Sequence, residues 1–552
     1  MRTNWTRHFI YLFVAMALII GPAAGSVQAG GPGGNTQSEK ISPELRAMLT
    51  SNPNGDAGII VEMRDTVATP VRTSADKPEN RAKDRIEQRG GRDAKPLGIV
   101  RGASGKISLG QLAQLSLDPD VRYISYDTPL TPQGSPYSGD MVDFSKALNA
   151  DQVWATGVSG KGVTVAVIDS GVQPLPAGIN NGQLVASVDL ITGKNSIGDP
   201  GGHGTHVAGV IAGSHSGWSG VAPSARIASV RVIDDASRAM KSTVIMGIQW
   251  AVQNRKAYGI RVINLSLGAP ATMSYTQDPL AGAVEFAWHA GIVVVAAAGN
   301  NGPAAGTIQA PAYDPYVITV GAMDMSGTAD RTDDVLAFFS SRGPTIDGLA
   351  KPDVAAPGRK ILSTRVPGST LDMLFPDRII QNDYLRLSGT SQAAAAVSGV
   401  VALMLSANPM MTPDQVKQQL KASASKVTGF DANAVGAGYV NATGAVKFSG
   451  AQVSQSARPA DSFALAVLPL IKGKAPLVWK DLGYNGGVDS LGRAWSNVAW
   501  DNVAWDNIAW DNTAWDNTAW DNTAWDNTAW DNTAWDNTSW DNTSWDSAGS
   551  LD

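Results

Sequence analysis

An α/β fold, doubly wound around a mostly parallel sheet, is what the sequence predicts for the middle of this 552-residue chain. Three observations predict it. Continuous apolar runs recur at Val163–Ile168, Ile227–Val232, Val262–Leu267, Ile292–Ala297 and Val317–Val320, the pattern of strands buried on both faces. Helical stretches such as Ser242–Ala257 and Pro279–Ala290 separate these runs, as crossovers between parallel strands require. Charged residues make up only 17% of the chain, below the roughly 25% of ordinary soluble proteins, so much of the sequence is destined for burial.

At roughly 150 residues per domain the length argues for three or four units. The first covers residues 1–29: Arg2 and Arg7 precede the apolar run Phe9–Ile20, and small residues reach Val27-Gln28-Ala29, as in a secretory signal with its cleavage site. A membrane anchor is the competing reading, but the twelve residues of that run fall short of the roughly twenty that span a bilayer. Secretion from a bacterial cell, outside or bound to its surface, is therefore expected. The absence of cysteine suits export and excludes disulfides, thiolate metal sites and a cysteine nucleophile.

Residues 30–140 read as a small α/β unit with a linker. Its elements are a strand at Gly58–Met63, a charged helical stretch, Leu97–Arg101, a short helix near Leu109–Leu115, and Val121–Tyr126. Lys77–Lys106 holds nine basic and four acidic residues, yet no aromatic interleaving or nucleic-acid motif accompanies them. A solvated charged face is expected, and no nucleic-acid partner. Pro129–Gly139 is rich in Pro, Gly and Ser and reads as an exposed, protease-accessible linker.

The α/β domain then fills residues 141–450. Thr412-Pro413-Asp414 opens a late amphipathic helix, and Gly436–Asn441 forms the closing edge. Residues 451–493 read as a second linker, and 494–552 as a tail in which Trp495, Trp500 and every fifth residue to Trp545 are tryptophan. A period of five matches neither helix nor strand, so no single apolar face results. Disordered coil, a short solenoid and an aromatic surface for glycan, cell envelope or protein partners all stay open. The tail carries eleven aspartates and no base, so without it the net charge of −6 becomes +5.

Three distant segments each place a polar residue where a strand ends or a buried helix begins, and in open α/β sheets such positions gather at the carboxyl edge. Asp169 ends the strand Val163–Ile168-Asp169. His203 opens the small-residue helix His203-Gly204-Thr205-His206-Val207-Ala208-Gly209. Ser391 follows Gly389-Thr390 and leads into Gln392–Leu405, apolar nearly all round but too short to span a membrane, hence a core helix. Helix-start amides near Ser391 can stabilise an oxyanion, but a serine nucleophile also needs an imidazole to take its proton and a carboxylate to orient that imidazole. Each residue alone has a plainer reading: Asp169 as a turn or cap, Ser391 as an N-cap, Asn300 as part of a turn. Their order along the chain, Asp, His, Ser, is that of subtilisin.

Together these motifs resemble the subtilisin family of serine proteases, over roughly residues 149–448. The resemblance implies a subtilisin-like fold and a catalytic triad of Asp169, His203 and Ser391. Val293–Ala298-Gly299-Asn300 is similar to the stretch ending in the family's oxyanion asparagine, which implies Asn300 as donor beside the Ser391 backbone N–H. In subtilisin itself the loss of one such donor costs about 2.7 to 4 kcal/mol. Ser266, Leu267 and Gly268, with Ala297, Ala298 and Gly299, match the segments that bind substrate backbone and wall the primary pocket, here roomy and uncharged.

Residues 30–140 resemble the family's propeptide through Lys106-Ile107-Ser108 and Asp118–Ile124, implying a ferredoxin-like α+β unit that inhibits the enzyme until self-cleavage. An ordinary accessory domain is the alternative. Two departures stand out. Gln392 replaces the family's usual Met, so peroxide tolerance is expected, and Ser214–Gly220 is too short for the common calcium loop. No cofactor is required for the chemistry and a structural calcium is left unassigned. His206 sits three residues from His203, but no acidic third ligand follows, so it is taken as structural and no metal site is assigned. The expectation is a secreted endopeptidase acting on polypeptides and matured from a precursor. The rival is an inactive scaffold whose tail does the work.

Overall fold

The computed structural model describes residues 40–64, 74–132, 143–447 apart from 177, 181, 194–197 and 216–217, and 457–463. The export segment and the tryptophan tail lie outside the described residues.

The small unit opens with α1 (Pro43–Ser51) and then runs β1 (Asp56–Met63), α2 (Pro78–Gln88), β2 (Arg92–Leu97), β3 (Gly102–Ser108), α3 (Leu112–Ser116) and β4 (Val121–Tyr126). Its four strands lie in the order β2-β3-β1-β4, and β1 pairs antiparallel with both neighbours. Ile59, Val61, Ile86, Ile107, Leu112 and Ile124 form its own core. Strand alternation explains the other face: Ile60, one residue out of phase with Ile59, joins Leu97, Ile99 and Val100 in the core of the larger unit.

Polar contacts fix that junction. Asp127, just beyond β4, accepts from the backbone N–H and hydroxyl of Ser242 at 2.7 and 2.5 Å, and so caps the helix Lys241–Gln253 of the larger unit. The Ile99 N–H donates to Gln249 Oε1 on the same helix at 3.1 Å. The start of the proline-rich segment departs from its expected exposure, while residues 133–142 lie outside the described residues. Pro129–Pro132 forms strand β5, which lies between Ala239–Met240 and Leu267–Pro270 and pairs antiparallel with both. Its Leu130 is fully buried. The two prolines are the first and last residues of this short strand, where a missing N–H disturbs the ladder least.

The larger unit is built on an eight-stranded sheet. In chain order its strands are β6 (Thr164–Asp169), β7 (Leu184–Asp189), β8 (Arg226–Arg231), β9 (Ile260–Leu265), β10 (Val293–Ala297), β11 (Ile318–Asp324), β12 (Val335–Leu336) and β13 (Val354–Pro357). They lie in the order β12-β11-β10-β9-β6-β8-β7, with β13 also on β11, and only the β11–β12 pair is antiparallel. All five apolar runs are strands of this sheet, shifted by a residue or two except that the last continues to Asp324. Three strands of the sheet escaped the apolar pattern: edge strand β7, which is only half buried, and the short β12 and β13.

Helices cover both faces. The expected helix over 242–257 is two helices, Lys241–Gln253 and Arg255–Tyr258. The apolar helix α4 (Thr390–Ala407) is 89% buried inside the protein, as a core helix should be. Thr412 caps Pro413–Ser423 reciprocally with Gln415. Beneath that helix lies a buried charge cluster. Lys417 Nζ donates to the carbonyls of Pro315, Tyr316 and Val317 at 2.6, 3.2 and 2.9 Å and sits 3.1 Å from Asp353, which also accepts from Lys351 at 2.7 Å. It fixes the chain at the entry to β11.

Candidate active site

Asp169 is the last residue of β6, the strand near the middle of the sheet, and is fully buried. Its Oδ1 accepts from the Ser170 N–H at 2.7 Å and lies 2.8 Å from His203 Nδ1. A carboxylate there requires the proton on Nδ1 and leaves Nε2 as the basic nitrogen. Nε2 has no hydrogen-bond partner among the described residues. Burial alone would lower the His203 pKa, but the charge and hydrogen bond of Asp169, aided by Asp199, hold it above the ordinary imidazole value.

His203 opens the helix His203–Ala212, which starts hard against the Asp169 turn. A Cβ on Gly204 would stand 2.1 Å from the Gly171 carbonyl and 3.1 Å from the Asp169 side chain, so only glycine permits the approach. Asp199 anchors this start. One of its oxygens accepts from Gly202 N–H and Ser170 Oγ at 2.8 and 2.7 Å; the other accepts from Thr205 N–H and Oγ1, both at 2.7 Å. Ser170 Oγ in turn accepts from the Gly204 N–H at 2.9 Å. This buried carboxylate therefore holds the histidine helix and the aspartate turn in one frame. Sequence reasoning missed it, because Asp199 stands ahead of the N-cap position, which is Gly202, and so lacks the usual cap signal.

Ser391 is the second residue of α4 and is fully buried. Its Oγ donates to the Ser266 carbonyl at 3.0 Å rather than to His203, and Ser266 Oγ returns a bond to the Ser391 carbonyl at 3.0 Å. Asn264 and Ser398 extend this network: Asn264 Nδ2 donates to Ser266 Oγ and Ser398 Oγ donates to Asn264 Oδ1, both at 2.9 Å. The serine helix is thus tied to the carboxyl end of β9. Asn300 Oδ1 accepts from the N–H and Oγ1 of Thr390, both at 3.0 Å, which turns its amide nitrogen away from Thr390.

Two segments with the residues expected to wall the pocket reach this point. Leu267 and Gly268 begin the strand Leu267–Pro270 that pairs with β5. Ala297 ends β10, Ala298 follows with no exposure, and the Gly299 N–H donates to Thr390 Oγ1 at 3.1 Å. Gln392, next to Ser391, is fully buried with neither amide atom partnered among the described residues. His206 is buried, its pKa pushed down to about 3 by desolvation and by His203, and its Nε2 donates to the Leu385 carbonyl at 3.0 Å. Residues 214–220, Ser-His-Ser-Gly-Trp-Ser-Gly, offer no carboxylate, a donor set that does not suit calcium. No His, Asp or Glu cluster able to hold a metal exists among the described residues.

Removing the Asp199 carboxylate leaves buried donors unsatisfied, so Asp199→Ala is expected to cost about 3 kcal/mol of stability in urea unfolding. An unchanged midpoint would count against its anchoring role.

The comparisons agree with this architecture. The subtilase family model, Peptidase_S8, matches residues 160–442, just over half of the chain. The chain is 41% identical over 314 residues to serine protease AprX of Bacillus subtilis strain 168, covering 55% of this chain and 70% of that protein. It is 35% identical over 348 residues to M-protease of Shouchella clausii strain KSM-K16, covering 62% and 79%. Fervidolysin from Fervidobacterium pennivorans, a keratinolytic enzyme related to subtilisin, superposes with a TM-score of 0.57 at 26% identity; the match spans 73% of this chain and 62% of that one. With its sheet and these relatives in agreement, the chain belongs to the subtilase family and is a subtilisin-like serine protease.

Proposed function

We propose that this protease is an exported endopeptidase, made as a precursor, in which Ser391 is the nucleophile, His203 the base and Asp169 its orienting carboxylate. The Ser391 hydroxyl rotates from Ser266 toward His203 Nε2 and gives up its proton there as Oγ attacks the peptide carbonyl carbon. The oxyanion accepts from the Ser391 backbone N–H and the Asn300 amide. His203 then returns the proton to the leaving nitrogen, the C–N bond breaks, and water releases the acyl group by the same steps in reverse. Ser266, Leu267 and Gly268 line the substrate backbone, while Ala297, Ala298 and Gly299 wall the primary pocket. Export rests on residues 1–29.

The observation that carries the reading is strand β5. Pro132 pairs with Leu267 and Thr131 with Gly268, one residue from the Ser266 carbonyl that holds Ser391. An extended peptide added as a strand at this edge is how a protease would hold substrate. Here the strand belongs to the chain's own small unit, which supports residues 30–140 as a propeptide that inhibits by occupying the groove. The same register directs self-cleavage to the residues just after Pro132. The rival reading, an inert scaffold with a working tail, is favoured by no feature of the site or of the relatives.

In pure form, Ser391→Ala is expected to remain full length, while the wild type acquires a new N-terminus within residues 133–143 by intact mass and N-terminal sequencing. Normal processing of the variant would exclude self-cleavage. Because a raised His203 pKa keeps the ring charged to higher pH, kcat/KM should fall as pH drops through a value above about 6.5. A profile flat down to pH 4 would rule out this base. With no sulfur at position 392, activity should survive peroxide that oxidises exposed methionines, whereas rapid first-order loss would show another sensitive group at the site.

A further inference from the structure

Residues 457–463, part of the stretch expected to be linker, are docked. The Ala457 carbonyl accepts from Tyr316 Oη and the Arg458 carbonyl from Tyr275 Oη, both at 2.8 Å. The Ala460 N–H donates to both oxygens of the buried Glu285, at 2.9 and 2.7 Å. Phe463 has no exposure, stacks on His289 at 4.7 Å between ring centroids and meets Phe286 edge-on at 6.2 Å. Glu285, Phe286 and His289 belong to one helix, Pro279–His289, and its Gly282 makes room: a Cβ there would stand 1.9 Å from Ser462 Oγ. These contacts all join the segment to the larger unit.

One side chain reaches the other way. Asp461 Oδ2 accepts from Arg122 at 3.2 Å, and Arg122, on β4 of the small unit, also donates to the buried Glu62 at 2.5 Å. The Arg122 side chain is only 14% exposed and that of Asp461 32%, so this pair is better shielded than a surface ion pair. Arg458 steadies Asp461 from the same segment at 2.5 Å. The scissile region follows Pro132, so Arg122 lies on one side of the cut and Asp461 on the other. Cutting turns an intramolecular pair into a contact between two chains.

We propose that residues 457–463 are a clasp that keeps the small unit seated on the protease after the connecting chain is cut, with Asp461 as its contact residue. The clasp rests on the reading of the small unit as an inhibitor. It adds a hold through the helix Pro279–His289, which packs beside the capped helix Lys241–Gln253. It also ties latency to the C-terminal region, because a cut between the last helix of the domain and residue 457 frees the segment from the chain that carries it.

The test follows the full-length protein through self-cleavage, measuring both the time for which the N-terminal fragment stays bound, by native mass, and the lag before hydrolysis of a small peptide substrate. Asp461→Asn leaves the Arg122–Glu62 pair intact, and it is expected to shorten fragment retention and lag about fivefold, since truncating a shielded charge pair acts on the off-rate. Asp461→Glu should behave as wild type. Phe463→Ala, which unseats the segment, should match Asp461→Asn. If Asp461→Asn and Phe463→Ala both retain the fragment as long as wild type does, the clasp is wrong. If the wild-type fragment leaves at once and hydrolysis shows no lag in any variant, the inhibitor reading fails and takes the clasp with it.

Discussion

The 2.8 Å contact between His203 Nδ1 and Asp169 Oδ1 sets the tolerances for much of the surrounding structure. A carboxylate at the end of a buried strand cannot relocate, so the imidazole must be brought to it. Three features do that: the absent side chain at Gly204, the four-donor frame around Asp199, and the packing of the histidine helix beside α4. The serine arrives by a separate route, from the start of α4, and is aligned by its exchange of hydrogen bonds with Ser266. The sheet edge is the one place where these two routes meet. This is the general property of open α/β sheets, in which loops leaving adjacent strands converge above their carboxyl ends.

The small unit is attached in three chemically distinct ways: apolar side chains of β1 and β2, the Asp127 cap on a facing helix, and the strand laid in the groove. On the proposed reading the strand is also the bond to be broken, so the other attachments must outlast it. Apolar burial and a helix cap depend weakly on covalent continuity, which suits them to that task. A charge pair across the junction adds directional selectivity more than strength, since either partner must stay paired or face the cost of burial.

How much of this could be read in the residues depended on range. The buried parallel strands announced themselves because β6 and β10 are almost wholly apolar and β8 and β9 are interrupted by only a few polar residues. Strand β7 is half-buried along its length and carries Ser187 and Asp189, which broke up its apolar run. Asp169, His203 and Ser391 were readable as motifs because each is embedded in a local pattern of small residues. Asp199 was not, since Asp-Pro-Gly-Gly looks like an ordinary turn until its four donors are assembled. Pro129–Pro132 and residues 457–463 both read as linker in the sequence. Their partners, Leu267–Gly268 in one case and Glu285 in the other, lie more than a hundred residues away, and no local periodicity records a docking of that kind.

The ammonium of Lys417, seated among three backbone carbonyls and a carboxylate, does what a bound cation would do at the same spot. It gathers converging oxygen dipoles and neutralises Asp353. Because it is tethered by its own side chain, it cannot be diluted away or drawn off by a chelator. That corner of the domain is therefore held without recruiting an ion from the surrounding fluid.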